Sequence, residues 1–157
     1  QSKFTDRQRA YAKAEGSRTI YTPQLIIGGQ DRVEGFAPEE TAERLREHLA
    51  AGTPILLTVT REGDHLVIRA EADPPLTEPV RVQLVRYKPQ ETVMIERGEN
   101  AGRTITYTNI VTSWQRLDDW SGQAPLEVTA PFDGDEPGAV IIQTEGPAAI
   151  LAAARVD

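Results

Sequence analysis

A proline, a short apolar run and two glycines follow one another in Tyr21-Thr22-Pro23-Gln24-Leu25-Ile26-Ile27-Gly28-Gly29. Leu25 to Ile27 is a continuous apolar run, which is typical of a short strand buried on both faces. The two glycines supply the backbone freedom that a tight turn needs, so a second strand over Arg32 to Phe36 is expected to return beside the first. This stretch therefore predicts a small hairpin near the beginning of the chain.

Helices are predicted on both sides of this hairpin. Residues 5 to 15 form the first, because Thr5 and Gln8 have the capping-box spacing and Gly16 suits a helix end. The second begins at Pro38, a residue favoured in the first turn, and ends near Gly52. The apolar face of this second helix consists of Ala42, Leu45 and Leu49.

From Thr53 onward the apolar residues alternate with period two, which predicts strands. Turn residues separate about eight of them, a spacing typical of a β-sandwich. The expected strands are Ile55 to Thr60, Leu66 to Ala72, Val80 to Tyr87, Thr92 to Glu96, Arg103 to Trp114, Leu126 to Ala130, Val140 to Thr144 and Ile150 to Val156. The fold class is therefore α+β, with a first region over residues 1–52 and an antiparallel β-sandwich domain over residues 53–157.

Composition narrows the range of functions. The 157 residues carry a net charge of −7, which argues against a nucleic-acid partner because such proteins present a basic face. No apolar run approaches the length that spans a bilayer. The chain has no cysteine, so it contains no disulfide, no thiolate metal site and no cysteine nucleophile. No motif calls for a cofactor, and no metal site or catalytic residue is predicted in this chain.

Several segments resemble a bacterial family of secreted proteins with a domain of unknown function, which joins a thioredoxin-like domain to a β-rich C-terminal region. The resemblance is carried by Phe4-Thr5-Asp6-Arg7-Gln8-Arg9-Ala10-Tyr11-Ala12, Tyr21-Thr22-Pro23-Gln24, Glu96-Arg97-Gly98-Glu99-Asn100-Ala101-Gly102-Arg103-Thr104, Tyr107-Thr108-Asn109-Ile110-Val111 and Trp120-Ser121-Gly122. The order helix, Thr-Pro, strand, strand, helix is similar to the second half of a thioredoxin fold.

This resemblance implies a secreted or periplasmic location and a cis peptide bond before Pro23. It also implies that Tyr21, Thr22 and Pro23 form a substrate-binding groove, where an extended polypeptide pairs with the backbone. Family members carry a Cys-x-x-Cys motif ahead of this point, and this chain has none. We therefore expect a truncated chain that is inactive alone.

A packing argument leads to an expected partner. Two helices and a two-stranded hairpin cannot form a thioredoxin core, since a hairpin alone is marginally stable in water. The N-terminal segment of the same protein, or a second chain, is expected to complete that core and to cover Leu25 to Ile27.

Two functional hypotheses follow. A third, an envelope protein that handles metal or haem, rests only on analogy with other thioredoxin-like envelope proteins. The first is a thiol–disulfide oxidoreductase in the complete protein. The second is a non-enzymatic binding module, which uses the β-sandwich and a ligand or partner loop formed by Arg97, Glu99, Asn100 and Arg103. The alternative for this loop is a purely structural hairpin connection, with Asn100 bonded to its own backbone.

Other polar and aromatic residues have structural interpretations. His48 and His65 are far apart in the sequence and are expected at the surface. The acidic segment Asp133 to Glu136 lacks the full pattern of a calcium loop and is interpreted as a solvated turn. Trp114 and Trp120 are expected to fill the core of the sandwich.

Overall fold

Two helices and a short hairpin precede seven longer strands in the computed structural model, which describes residues 2–14, 16, 23–98, 101–146 and 148–157. The elements are α1 (Ser2–Ala14), β1 (Gln24–Ile27), β2 (Asp31–Glu34), α2 (Pro38–Ala51), β3 (Ile55–Glu62), β4 (His65–Ala72), β5 (Val80–Met94), β6 (Thr104–Trp120), β7 (Leu126–Pro131), β8 (Gly138–Thr144) and β9 (Ile150–Val156).

The strands of the described residues form three antiparallel sheets. One is the hairpin β1–β2, the second has the order β3-β4-β7, and the third has the order β6-β5-β8-β9. Two helices beside mostly antiparallel sheets make this a mixed α+β protein, as the sequence predicts. The division of the chain into regions 1–52 and 53–157 stays a prediction.

The hydrophobic core lies between the two larger sheets. Alternate residues of each strand point into it, as the pleat of a strand requires. It contains Leu66 and Ile68 of β4, Val82 of β5 and Ile142 of β8, together with Phe132 from the connection after β7. Both larger sheets therefore bury their apolar faces in one cluster.

The two tryptophans have different environments. Trp120 is 4% exposed and belongs to the core, which confirms its predicted place. Trp114 is not in the core, so that prediction was wrong. It lies on the opposite face of its sheet, where Arg7 of α1 stacks on its ring. A register shift between β5 and β6 at Val82 and Gln83 reverses the side that β6 residues face, so Trp120 points into the core and Trp114 to the opposite face.

Strand and helix limits also differ from expectation. Strand β6 ends at Trp120, beyond the expected end at Trp114. Helix α1 begins at Ser2, so Thr5 lies within the helix and not at its N-cap. The two strands expected at Val80 to Tyr87 and Thr92 to Glu96 are one strand, β5, which runs through Pro89. Pairing with β8 stops at Arg86, opposite Gly138 at the start of β8. Pro89 therefore lies where β5 pairs with β6 alone among the described strands, and a missing N–H is tolerated there.

The first region is less buried than expected. Ile27 and Val33 are buried, but Leu25 is half-exposed, so the apolar run is not covered on both faces. Helix α2 begins at Pro38 as predicted, yet none of its residues is buried. Among the described residues, neither helix is long and apolar enough to cross a membrane.

The core position of Phe132 gives a direct test of the fold. Phe132 is completely buried, and Arg86 lies over its ring at 4.0 Å from the centroid. Phe132→Ala is expected to lower the free energy of unfolding by about 3–5 kcal/mol, measured by chemical denaturation. Phe36 is 93% exposed, and Phe36→Ala serves as the matched control with a change within about 0.5 kcal/mol. Equal effects of the two substitutions would contradict this placement of the core.

Candidate functional site

The side-chain amide of Gln143 joins three parts of the chain. Its Nε2 donates to the carbonyl oxygen of Ala148 at 2.7 Å and to the hydroxyl of Tyr11 at 3.1 Å. Its Oε1 accepts from Nε2 of Gln83 and from Nη2 of Arg7, each at 3.1 Å. Gln143 is 1% exposed, and these four bonds use its full hydrogen-bonding capacity.

Strand periodicity explains why this amide faces α1. Val82 of β5 and Ile142 of β8 are cross-strand partners that point into the core. Gln83 and Gln143 each follow one of them, so their side chains share the opposite face of the sheet. Helix α1 covers that face with Tyr11 and Ala12, which are both buried. The helix is thereby fixed to the sheet through polar groups.

Arg7 and Trp114 form the second contact between α1 and the sheet. The guanidinium carbon of Arg7 lies 3.9 Å from the centroid of the Trp114 ring, a cation–π geometry. The indole Nε1 donates to Oε1 of Gln83 at 2.9 Å, which connects this pair to the Gln143 amide. Arg7 also donates from Nη2 to the hydroxyl of Tyr11, one helical turn further on, at 3.1 Å. The stacked Trp114 ring and the hydrogen bonds of Nη2 thus fix the position of the guanidinium group.

The hairpin turn contacts the start of β9. The backbone oxygen of Gly28 accepts a hydrogen bond from the N–H of Ile150 at 2.7 Å. A Cβ atom at Gly29 would overlap the carbonyl oxygen of Ala148, so only glycine permits this approach.

On the other face of the hairpin, Nε2 of His48 lies 2.7 Å from Oδ2 of Asp31. His48 is therefore partly buried in a contact between α2 and β2, and is less exposed than the sequence predicts.

The sequence-predicted substrate groove falls mostly outside the described residues. Tyr21 and Thr22 lie outside them, so the geometry of the Thr22–Pro23 peptide bond stays a prediction. Pro23 is exposed, and its carbonyl oxygen accepts a hydrogen bond from the N–H of Gly35 at 2.9 Å. Pro23 thus lies at the open end of the hairpin, directly before the α1-facing residue Gln24.

The predicted ligand loop connects β5 and β6. Glu99 and Asn100 lie outside the described residues, whereas Arg97 and Arg103 are exposed. Gly98 and Gly102 have φ angles of +91° and +83°, a backbone conformation that favours glycine. Neither arginine lies among the described residues that line the cavities beside α1, and the role of this loop in binding stays a prediction.

Arginines hold the acidic segment near Phe132. Nη2 of Arg86 donates to the backbone oxygens of Asp133 and Glu136, at 2.9 and 2.6 Å. Nη2 of Arg61 donates to the oxygen of Gly134 at 2.9 Å. The carbonyl oxygens of this turn are therefore directed at guanidinium groups. Within the described ranges no cluster of three or more His, Asp or Glu side chains is arranged to hold a metal ion.

The contact between α1 and the sheet is formed by residues that were not predicted as functional from the sequence: Arg7, Tyr11, Gln83, Trp114 and Gln143. A signal was present, because Gln83 lies between Val82 and Leu84 and Gln143 directly follows the apolar run Ala139 to Ile142. A buried polar side chain in such a place needs a hydrogen-bonding partner. The four-residue spacing of Arg7 and Tyr11 places them on one face of α1. What the sequence alone could not show is that this helix face and these strands meet.

These features define a mixed α+β protein in which a helix is hydrogen-bonded across one face of an antiparallel sheet. The chain belongs to the family described as "Protein of unknown function (DUF1223)", which it matches over residues 1–143. An X-ray structure of a protein from Agrobacterium tumefaciens is similar, with a TM-score of 0.81 and 25% sequence identity. The alignment covers 99% of this chain and 70% of the Agrobacterium chain. No curated protein shows a significant match.

The Gln143 network predicts a large effect of a nearly isosteric substitution. Gln143→Leu leaves Tyr11, Gln83 and the Ala148 carbonyl without their buried partners. The free energy of unfolding is expected to fall by roughly 2–3 kcal/mol, measured by chemical denaturation.

Gln90 is an exposed glutamine in strand β5, so Gln90→Leu is the matched control. Its effect is expected to stay within about 0.5 kcal/mol. A Gln143→Leu protein as stable as the control would show that the network contributes nothing to folding.

Proposed function

We propose that this chain is the substrate-positioning part of a thioredoxin-like envelope protein, which acts as a thiol–disulfide oxidoreductase when a further segment completes it. In that reaction one cysteine thiolate attacks a disulfide sulfur, the S–S bond breaks, and a mixed disulfide forms. The second thiol then displaces the substrate as a dithiol, and the protein is left oxidised. Both cysteines belong to the completing segment, since this chain has none. Tyr21, Thr22 and Pro23 provide the groove for an extended polypeptide.

The observation that carries this proposal is the uncovered apolar face of α2. Leu45 is half-exposed, Leu49 is 82% exposed, and Phe36 lies just before the helix and is also exposed. An amphipathic helix of a globular protein normally buries such a stripe. An exposed apolar surface of this kind marks an interaction site. The completing segment is proposed to cover it.

The hairpin supports the same proposal. Among the described strands, β1 and β2 pair only with each other, so each leaves one backbone edge open. Gln24 and Ile26 face the α1 side, whereas Asp31 contacts α2 on the other side. A two-stranded sheet with helices on opposite faces is an incomplete layered core. Further strands added at an open edge would complete it.

Chain length in the similar structure is consistent with a further segment. The aligned part makes up 70% of the Agrobacterium chain, so the remaining part of that protein has no counterpart here. A secreted or periplasmic location belongs to this proposal as well. It rests on the family resemblance seen in the sequence.

Burial of the apolar face of α2 by the completing segment can be tested separately from redox activity. In the 157-residue chain, Leu49→Ser is expected to change the free energy of unfolding by less than about 0.5 kcal/mol. In the complete gene product the same substitution is expected to cost more than about 1 kcal/mol, because a covered leucine is lost. Leu56→Ser is the control, since Leu56 is 69% exposed on β3 and should be neutral in both proteins. Equal, small effects of Leu49→Ser in both proteins would contradict the proposed covering.

Redox activity is tested by insulin reduction with the complete gene product. Turnover is expected, and Pro23→Ala is expected to slow it by altering the groove, whereas Pro125→Ala at another exposed proline is not. The 157-residue chain is expected to be inactive because it has no thiol. A complete product with a verified free dithiol and no turnover would refute the enzymatic part of the proposal.

A non-enzymatic binding module is the second candidate function. It is favoured by Arg97 and Arg103, which are exposed on one loop and form no side-chain hydrogen bond with another described residue. In this case the antiparallel β-sandwich acts as a scaffold and the loop, with Glu99 and Asn100, makes the contact. Replacement of residues 97–103 by a short Gly-Ser turn should abolish partner capture. Unchanged capture would reject this candidate.

A further inference from the structure

Two adjoining cavities lie beside the contact between α1 and the sheet. The larger one, of about 330 Å³, lies between α1, the hairpin and the sheet, and Phe4, Arg7, Gln24 and Trp114 contribute to its lining. The smaller one, of about 200 Å³, shares Phe4, Arg7 and Trp114 with it. The larger cavity alone reaches the lower limit of volumes that hold small ligands.

Arg7 is the charged group at the junction of these cavities. Its Nη2 is bonded to two neutral groups, the Tyr11 hydroxyl and Oε1 of Gln143, and its plane is stacked on Trp114. The Nε and Nη1 donors of the guanidinium group make no hydrogen bond within the described residues. The guanidinium is therefore held in a fixed position with donors to spare, an arrangement suited to a planar anion.

No carboxylate of the described part of the chain neutralises Arg7. Other arginines of this acidic protein do have such partners: Arg9 pairs with Asp6 at 3.0 Å, Arg69 with Glu127 at 2.8 Å and Arg81 with Glu145 at 2.6 Å. The described residues that line these two cavities include no aspartate or glutamate. A partly buried cation in an uncharged cavity favours an anionic ligand, and a carboxylate matches its fork.

Gln24 adds a neutral polar group to the same cavity. Its Oε1 is buried and accepts no hydrogen bond from the described residues. A buried acceptor without a donor is costly, which makes a donor on a ligand favourable. Because rotation about the Cγ–Cδ bond of glutamine (χ3) is nearly free, the Gln24 oxygen can turn toward the cavity. Phe4 and Ile26 provide apolar surface beside it.

We propose that the larger cavity binds a small apolar carboxylate that carries a neutral hydrogen-bond donor, such as a 2-hydroxy acid with an aromatic body. The carboxylate binds the free donors of Arg7, the hydroxyl donates to Gln24, and the ring lies against Phe4 and Ile26. This binding is independent of the proposed thiol chemistry, because the 157-residue chain without cysteine contains the whole site.

Calorimetric titration of the 157-residue chain with 3-phenyllactate, 3-phenylpropionate and 3-phenylpropionamide tests this site. Phenyllactate is expected to bind most tightly, and the uncharged amide at least about tenfold more weakly than phenylpropionate. Binding of the amide as tight as that of phenylpropionate, or no binding of phenyllactate at millimolar concentration, would overturn the proposal.

Substitutions of Arg7 and Gln24 test which ligand group each residue binds. Arg7→Lys is expected to weaken phenyllactate binding by at least about tenfold, because the planar fork is lost. Arg9→Lys makes the same change at an exposed position of the same helix and should leave the affinity unchanged. Gln24→Leu should remove the preference for phenyllactate over phenylpropionate. Unchanged affinity in Arg7→Lys, or an unchanged preference in Gln24→Leu, would contradict the assigned contacts.

A second variant covers the possibility that Arg7→Lys does not fold. Gln8 is exposed on α1 and borders the larger cavity, so Gln8→Glu should leave the fold intact. The added carboxylate is expected to weaken phenyllactate binding through charge repulsion and to leave amide binding unaltered. Equal affinity of Gln8→Glu and the unmodified chain for phenyllactate would contradict a carboxylate at this place.

Discussion

The hydrogen bonds of the Gln143 side-chain amide determine how α1 and the hairpin are placed on the sheet. This amide is buried, and it binds a helix residue, a neighbouring strand and the backbone before β9 at once. A buried amide is costly unless every donor and acceptor is paired, and here α1 supplies two of the four partners. Hydrogen bonds to Gln143 thus hold α1 on the sheet, whereas apolar contacts join the two larger sheets.

This polar contact places the hairpin as well. The carbonyl oxygen of Ala148 accepts from Gln143 and also lies so close to Gly29 that a side chain would not fit there. Ile150 then donates to the oxygen of Gly28. Helix α1, the hairpin turn and the start of β9 therefore meet around one side chain. The cavities beside Arg7 are a consequence, because polar contacts hold these elements together without filling the space between them.

The sequence predicts the elements better than their environments. Period-two patterns locate β3, β4 and β7 to β9, and Pro38 marks the start of α2. The pattern fails at Pro89, because a proline is tolerated where β5 has only one neighbour. It also fails for Trp114, since a large aromatic residue suits the core and the outer face equally well. The apolar stripe of α2 predicts burial, yet Leu49 is exposed.

The candidate site was harder to predict for a physical reason. Thr22-Pro23 and the loop from Arg97 to Arg103 can be recognised from short stretches of sequence. The contacts of Gln143 with Gln83 and Tyr11 join residues far apart in the chain. Each glutamine signals a buried polar partner, but the identity of that partner depends on tertiary packing. The thioredoxin-like interpretation rests on the apolar face of α2 and on the open edges of the hairpin. The proposed ligand site lies on the other side of the hairpin, between α1 and the sheet.

Native-state hydrogen exchange in Tyr11→Phe tests the central claim most directly. This change removes one hydroxyl and keeps the ring that α1 buries. If the Gln143 amide fixes α1 to the sheet, the amides of α1 should exchange faster, while those of β5 and β8 keep their protection. Unchanged protection throughout α1 would contradict the account, because the helix would then be held by its apolar contacts alone.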